Sequence, residues 1–242
     1  MKASLKVRER RRAENDARAA RIMTAAARVF ARRGVENATM EMIAREANVA
    51  VGTIYLHFAS RDEVYLNLFA DRGTQLGAGY REVTARALKP LDEIRALAQV
   101  YIEYLHESAD PILLSEPTPY YEIRKRLRRT SEIRAFDRGS RIRGEVFRLF
   151  ESSVKHAFDS GLIADSLGAT GVTVAIWSIL NGAFMVTRDR EYLTHTIGFE
   201  PEGFVAKALD SYLQGIAAAA RRSKPAQRRN RAFGTPRRGS NL

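Results

Sequence analysis

Between residues 39 and 61 the chain gathers side chains suited to gripping a nucleic acid: Thr39, Val51, Gly52, Thr53, Tyr55, His57 and Arg61. Hydroxyls and an imidazole can donate to phosphate oxygens or base edges. Gly52 lets the backbone itself approach a phosphate closely. The Arg61 guanidinium offers a planar fork that holds a phosphate at two points. Val51 is suited to apolar contact with a thymine methyl in the major groove.

These groups need a rigid carrier, and the flanking periodicity supplies one. Thr39 can cap a helix whose inward positions are Ile43, Ala44 and Ala47, three and four residues apart. Asn48 then stands at a corner that requires positive φ, which Asn tolerates. A second short helix buries Val49, Ile54 and Phe58, which turns Thr53, Tyr55 and His57 to other faces. Ser60-x-x-Glu63 reads as a capping box opening a third element with Val64, Leu68 and Phe69 on its stripe. Upstream, Ile22, Ala26, Val29 and Phe30 line a helix ending at Arg32-Arg33-Gly34, where cations meet the negative helix end and glycine takes a left-handed cap. Three helices around one small core, two of them joined by a tight turn, make a helix-turn-helix.

The pattern resembles the TetR (TetR/AcrR) family of bacterial transcriptional regulators. The resemblance rests on Ala26, Phe30, Gly34, Thr39, Ile43-Ala44, Ala47, Val49, Gly52-Thr53-Ile54-Tyr55, His57-Phe58 and Ser60-Arg61-Asp62-Glu63, and it covers about residues 20 to 70. It implies that Thr39, Tyr55, His57 and Arg61 touch phosphates, while residues 51 to 53 and 55 face bases. Ala50 and Val51 depart from the Ser and Lys or Arg common in the family. A hydroxyl N-cap worth about 1 kcal/mol is therefore missing, as is one cation.

The charge is unevenly placed. Of 40 Lys and Arg and 28 Asp and Glu, residues 1 to 33 hold eleven cations and three anions, and residues 221 to 242 hold eight cations and no anion. The rest of the chain is therefore slightly acidic, so two basic extensions flank a near-neutral globule. Residues 1–14 read as a mobile basic arm reaching the minor groove, with Asn15 or Asp16 capping the first helix behind it. Residues 221–242, rich in Arg, Pro, Gly and Ser, read as a disordered basic tail. The start of the chain lacks the apolar stretch of an export signal.

A three-helix head spanning 15–70 leaves residues 71–220 for a second, all-α unit that binds ligand and dimerises. Apolar positions at three- and four-residue spacing run through 91–107, 145–160, 170–187 and 203–220, with breaks at Lys89-Pro90, Asp110-Pro111 through Pro119, Gly161 and Gly198 to Pro201. Helices 170–187 and 203–218 are expected to form a homodimer interface: Val172, Ala175, Ile176, Ile179 and Ala183 on the first, Val205, Ala208, Leu209, Tyr212 and Ile216 on the second. In the resembling family such a dimer presents two heads to a palindromic operator.

Tyr104, His106, Phe147, Phe150, Trp177, Asn181 and Phe184 are the candidate lining for a small hydrophobic effector, with Asn181 a polar anchor on an apolar helix. The basic run Arg124 to Arg148 reads as a solvated helix face and receives no role.

Enzyme chemistry finds little footing. Cysteine is absent, and His57, His106, His156 and His195 are not at metal-ligand spacing, so no catalytic residue, cofactor or metal is assigned. No run of about 18 apolar residues is expected to span a membrane. The expected protein is a cytoplasmic, nucleoid-associated homodimeric repressor released from its operator by ligand. The competing reading is an architectural DNA binder without an effector.

Overall fold

The computed structural model describes residues 2–107 and 120–223, and among them every regular element is helical, as expected. The expected breaks from Asp110 to Pro119 and the tail beyond residue 223 lie outside the described residues.

The first helix, α1, spans Lys2–Arg33 and ends where Gly34 turns to φ 75° and donates to the Phe30 carbonyl at 2.8 Å. Here the structure corrects the sequence reading. Neither Asn15 nor Asp16 caps the helix, and the expected mobile arm 1–14 is helical from Lys2 onward. The segment has no Gly or Pro, and ion pairs one turn apart, Arg10 with Glu14 and Arg12 with Asp16, support continued winding.

Helix α2, Met40–Ala47, is capped by Thr39 and closed by Asn48 at φ 55°, with the Val49 N–H reaching the Ala44 carbonyl at 3.0 Å. That left-handed closure turns the chain sharply into α3, Val51–Tyr55. Ala50 gives α3 no side-chain cap, as its missing hydroxyl dictates. Helix α4, Arg61–Thr84, opens on Ser60, whose Oγ accepts from the Glu63 N–H at 3.2 Å.

Five more helices follow: α5 (Pro90–Glu107), α6 (Tyr120–Arg126), α7 (Thr130–Asp159), α8 (Gly168–Thr187) and α9 (Phe204–Ser223), with a π-helical turn at Tyr192–Ile197 before the last. Helices α4 and α7 pack side by side, close enough that a Cβ on Gly73 would stand 2.9 Å from Ile142 Cγ2. At that spot only glycine fits without a shift.

Two apolar cores result. The head core joins Ile22, Phe30, Ile43, Ile54 and Leu66, all fully buried, and it also takes in Ile123 from α6, Leu127 from the link after it, and Ala135 and Phe136 from α7. The body core gathers Tyr80, Leu97, Leu105, Phe150, Ile176 and Leu213. Helix α4 serves both, so the expected boundary at residue 70 falls inside a continuous helix.

The expected dimer strip needs revision, because much of it is used within the chain. Val172 and Ile176 of α8 and Val205, Leu209 and Ile216 of α9 are buried in the body core. The outward stripe of α8 instead carries Val174, Ser178, Gly182, Met185 and Val186. Helix α8 is long and apolar enough to cross a membrane by length and composition, contrary to the sequence reading. Its apolar residues are divided between the body core and this outer stripe.

Candidate nucleic-acid interface

Helix α3 has five residues, and its orientation is set by one of them. Ile54 is fully buried, and its carbonyl takes the N–H groups of His57 and Phe58 at 2.8 and 2.9 Å. With Ile54 pinned inward, Gly52 and Tyr55 face solvent, and Val51, Thr53 and His57 are half-buried beside them. Tyr55 is 50% exposed, far beyond what a packing role requires. A Cβ on Gly52 would touch nothing within 4 Å, so a partner surface can approach the backbone there.

The expected groups divide. Val51, Gly52, Thr53, Tyr55 and His57 come together on one small protruding surface. Thr39 stands at the start of α2, its Oγ accepting from the Met42 N–H at 3.2 Å. The Glu41 carboxyl beside it is held below its ordinary value, first by its own backbone N–H and then by the Thr39 hydroxyl. Sequence reasoning passed over Leu56, which is 83% exposed next to Tyr55. Its signal was present: a leucine on the outward side of a helix whose inward side is already filled.

Arg61 is elsewhere. Its guanidinium donates to the Glu36 carbonyl at 2.6 Å and to the Glu36 carboxylate at 3.1 Å, with Asp62 at 3.4 Å. Arg126 completes the cluster, reaching Asp62 through Nε at 2.6 Å and Glu36 through Nη2 at 2.9 Å. Two arginines thus share two carboxylates, and the fork expected to hold phosphate is engaged within the protein. Arg126 comes from α6, so the cluster fastens the body to the head. Around it, Arg129 donates to the Ala59 carbonyl, Ser131 Oγ to Glu63 at 3.1 Å, and Arg138 to Asp71 at 3.0 Å. The run Arg124 to Arg148 is therefore a docking edge as well as a solvated face.

The Glu36 carboxyl sits below its ordinary value of 4.5, chiefly because Arg126 hydrogen-bonds to it. A carboxyl lowered by folding stabilises the native state above its unfolded value, and that contribution is lost as pH falls through the folded one. Glu36→Gln is therefore expected to flatten the fall in melting temperature on the acid side, below about pH 4.5. Because Glu36 is 46% exposed, the difference at neutral pH should stay under about 1 kcal/mol. Thermal melts across pH 3 to 7, to about half a unit, would check both.

In the body, Tyr104, Phe147, Trp177 and Asn181 are brought together, with Tyr101 among them. Tyr101 stacks on Trp177 at 6.1 Å and 12° and on Tyr104 at 6.0 Å, while Phe147 meets Trp177 edge-on at 5.3 Å. The Tyr101 hydroxyl donates to Asn181 Oδ1 at 3.1 Å, and Asn181 Nδ2 donates to the Trp177 carbonyl at 2.7 Å. The anchoring amide is thus satisfied on both sides. Phe150 is fully buried against Tyr80, and His106 meets Phe184 edge-on at 5.1 Å.

Residues 22–68 match the family model for bacterial regulatory proteins of the tetR family. An uncharacterized HTH-type transcriptional regulator of Haemophilus influenzae is 35% identical over 42% of this chain and 54% of its own length. The chain spans about half the length of the curated relatives it matches. Among solved structures, a tetR-family regulatory protein from Rhodococcus RHA1 is similar at TM-score 0.63, with 18% identity over 82% of this chain and 96% of that one. The regulator FadR from Bacillus subtilis, solved in complex with stearoyl-CoA, is similar at TM-score 0.56, with 16% identity over 81% of this chain and 98% of that one. At such identities the solved structures speak for the fold, while residues 22–68, with their capped turn and five-residue helix, are what matches the tetR family of bacterial regulatory proteins.

Proposed function

We propose that the protein is a homodimeric transcriptional repressor that occupies a palindromic operator and leaves it when a small, largely apolar ligand binds the body. The observation that carries this reading is the inward pinning of Ile54, which turns Tyr55, Gly52 and Thr53 outward on a compact head. In this reading Val51, Gly52, Thr53 and Tyr55 meet base edges, and His57 and Thr39 meet phosphates. Leu56 adds an apolar contact suited to a thymine methyl. Arg61 acts from behind, holding the loop at Glu36.

The outward stripe of α8, with Val174, Gly182 and Met185, meets its two-fold copy with α9 alongside. On an operator with half-sites one duplex turn apart, such a pair would carry its two heads about 34 to 36 Å apart. The similarity to a regulator crystallised with stearoyl-CoA supports a body able to admit an apolar ligand. Ligand would favour a head spacing that no longer matches the operator, limited by its differential affinity for the two spacings.

Selection of bound fragments from random duplex tests the reading. A recovered palindrome with half-sites one turn apart is expected, and Tyr55→Ala should weaken binding to it by about tenfold or more. Recovery of no palindrome, or unchanged affinity in the variant, would remove the proposal.

A further inference from the structure

Four buried side-chain polar atoms among the described residues lack partners, Tyr80 Oη, Trp177 Nε1, Tyr212 Oη and Arg138 Nε, and the first two lie together. Tyr80 Oη and Trp177 Nε1 are buried with no hydrogen bond to any described residue. The two are neighbours: burial pushes the pKa of the Tyr80 hydroxyl up and the nearby indole N–H opposes that rise, yet it does not reach hydrogen-bond geometry. Tyr80 itself is fully buried.

Their chemistry is complementary to a third atom. An indole N–H can only donate. If the tyrosine oxygen accepted it, the phenolic O–H would still need an acceptor. A single oxygen placed between them takes both hydrogens. Beside them the stacked rings of Tyr104, Tyr101 and Trp177 offer half-buried flat faces, closed at one edge by Phe147.

Charge narrows the ligand further. Among the described residues, the buried charged and polar side chains are Glu63, Glu132, Ser153 and Thr173. Glu63 and Glu132 belong to the head junction, Ser153 is bonded to Glu93, and Thr173 donates to the Ala169 carbonyl. Arg143 acts on Tyr101 at a distance, but it is exposed and lies over the Phe69 ring at 5.6 Å. Among the described residues no cation is buried there to offset a desolvated carboxylate.

We infer that this place receives an uncharged, flat ring compound whose carbonyl oxygen accepts from both Tyr80 Oη and Trp177 Nε1 while its rings lie against the stacked aromatics. The inference rests on the effector reading proposed above and narrows its ligand class.

Trp177 is the sole tryptophan of the chain, so its emission reports occupancy directly. The full-length protein is titrated with 2-acetylnaphthalene, with 2-ethylnaphthalene, which has no acceptor, and with 2-naphthoate, which is charged. Calorimetry gives affinity and stoichiometry. The ketone should bind one per chain, about tenfold tighter than the ethyl compound and tighter still than the acid. Tyr80→Phe should erase the ketone's advantage, leave the ethyl compound unchanged and keep or raise the melting temperature, since it removes an unpaired hydroxyl. Should that variant fold poorly, Trp177→Phe, followed by calorimetry, removes the other donor with the same expected loss. Equal binding of all three compounds, no binding of any, or an unaltered ketone affinity in the variants would overturn the assignment. A palindrome recovered from random duplex alongside such a result would overturn this site alone. Loss of the palindrome as well would remove the regulator reading.

Discussion

Phe30→Ala melts the head and abolishes duplex binding while the body keeps its helices. Phe30 is fully buried, at the centre of a core shared with Ile22, Ile43 and Ile54, and its ring meets Tyr65 edge-on at 6.3 Å. Truncating a buried Phe costs about 3 to 5 kcal/mol, since the surrounding helices cannot collapse fully onto the vacated volume. A small domain has about 5 to 15 kcal/mol in total, so the loss is comparable to everything that holds these helices together. The body core, built around Tyr80, Leu105, Phe150 and Leu213, does not include Phe30. Calorimetry should therefore show a new low-temperature transition beside the original one, and circular dichroism a partial loss of helix at 37 °C. Leu56→Ala provides the contrast. At 83% exposure its stability should move by no more than about 0.5 kcal/mol, whereas operator affinity should fall. A single unshifted transition in Phe30→Ala would show that the head and body melt as one unit whose stability lies elsewhere.

The head was legible in the sequence because its signals are local. The positive φ of Asn48, the left-handed Gly34 and the Ser60 cap are each decided within five residues, and each appears as read. What the sequence obscured depends on partners far along the chain. Arg61 has the form of a phosphate-binding fork, but Glu36 lies 25 residues before it and Arg126 reaches the same carboxylates from 64 and 90 residues away. No periodicity announces such a cluster. Likewise, Ile123, Leu127, Ala135 and Phe136 complete the head core from beyond the body's first helix, which no local stripe could reveal. At the N-terminus two local signals competed, the capping potential of Asn15 and Asp16 against a run of good helix formers, and continued winding won. Helix α8 presents the opposite difficulty. It is apolar nearly all round, so its composition cannot say which stripe faces in. The body core decides that by claiming Val172, Ile176, Leu180 and Phe184.

That division of α8 makes the second large effect expected from Val174→Glu. Val174 is 50% exposed on the stripe left over by the body core, with Ser178, Gly182, Met185 and Val186 along it. A Cβ added to Gly182 would meet nothing within 4 Å, so within one chain the small residue answers to no neighbour. Small residues allow close helix approach, and a two-fold axis through this stripe would set each Val174 near its symmetry mate's helix. A carboxylate introduced there must be desolvated twice, once on each copy, with no cation to receive it. The single chain should hardly notice, because an exposed position usually changes stability by no more than about 0.5 kcal/mol. Sedimentation should therefore show monomers at concentrations where the parent protein is dimeric. Operator affinity should fall by about 100-fold or more, since two linked heads gain that much over one through effective concentration alone. Affinity for a single half-site should stay unchanged, which separates lost pairing from a damaged head. A variant still dimeric and binding the full palindrome as tightly as the parent would mean that the proteins pair through another face.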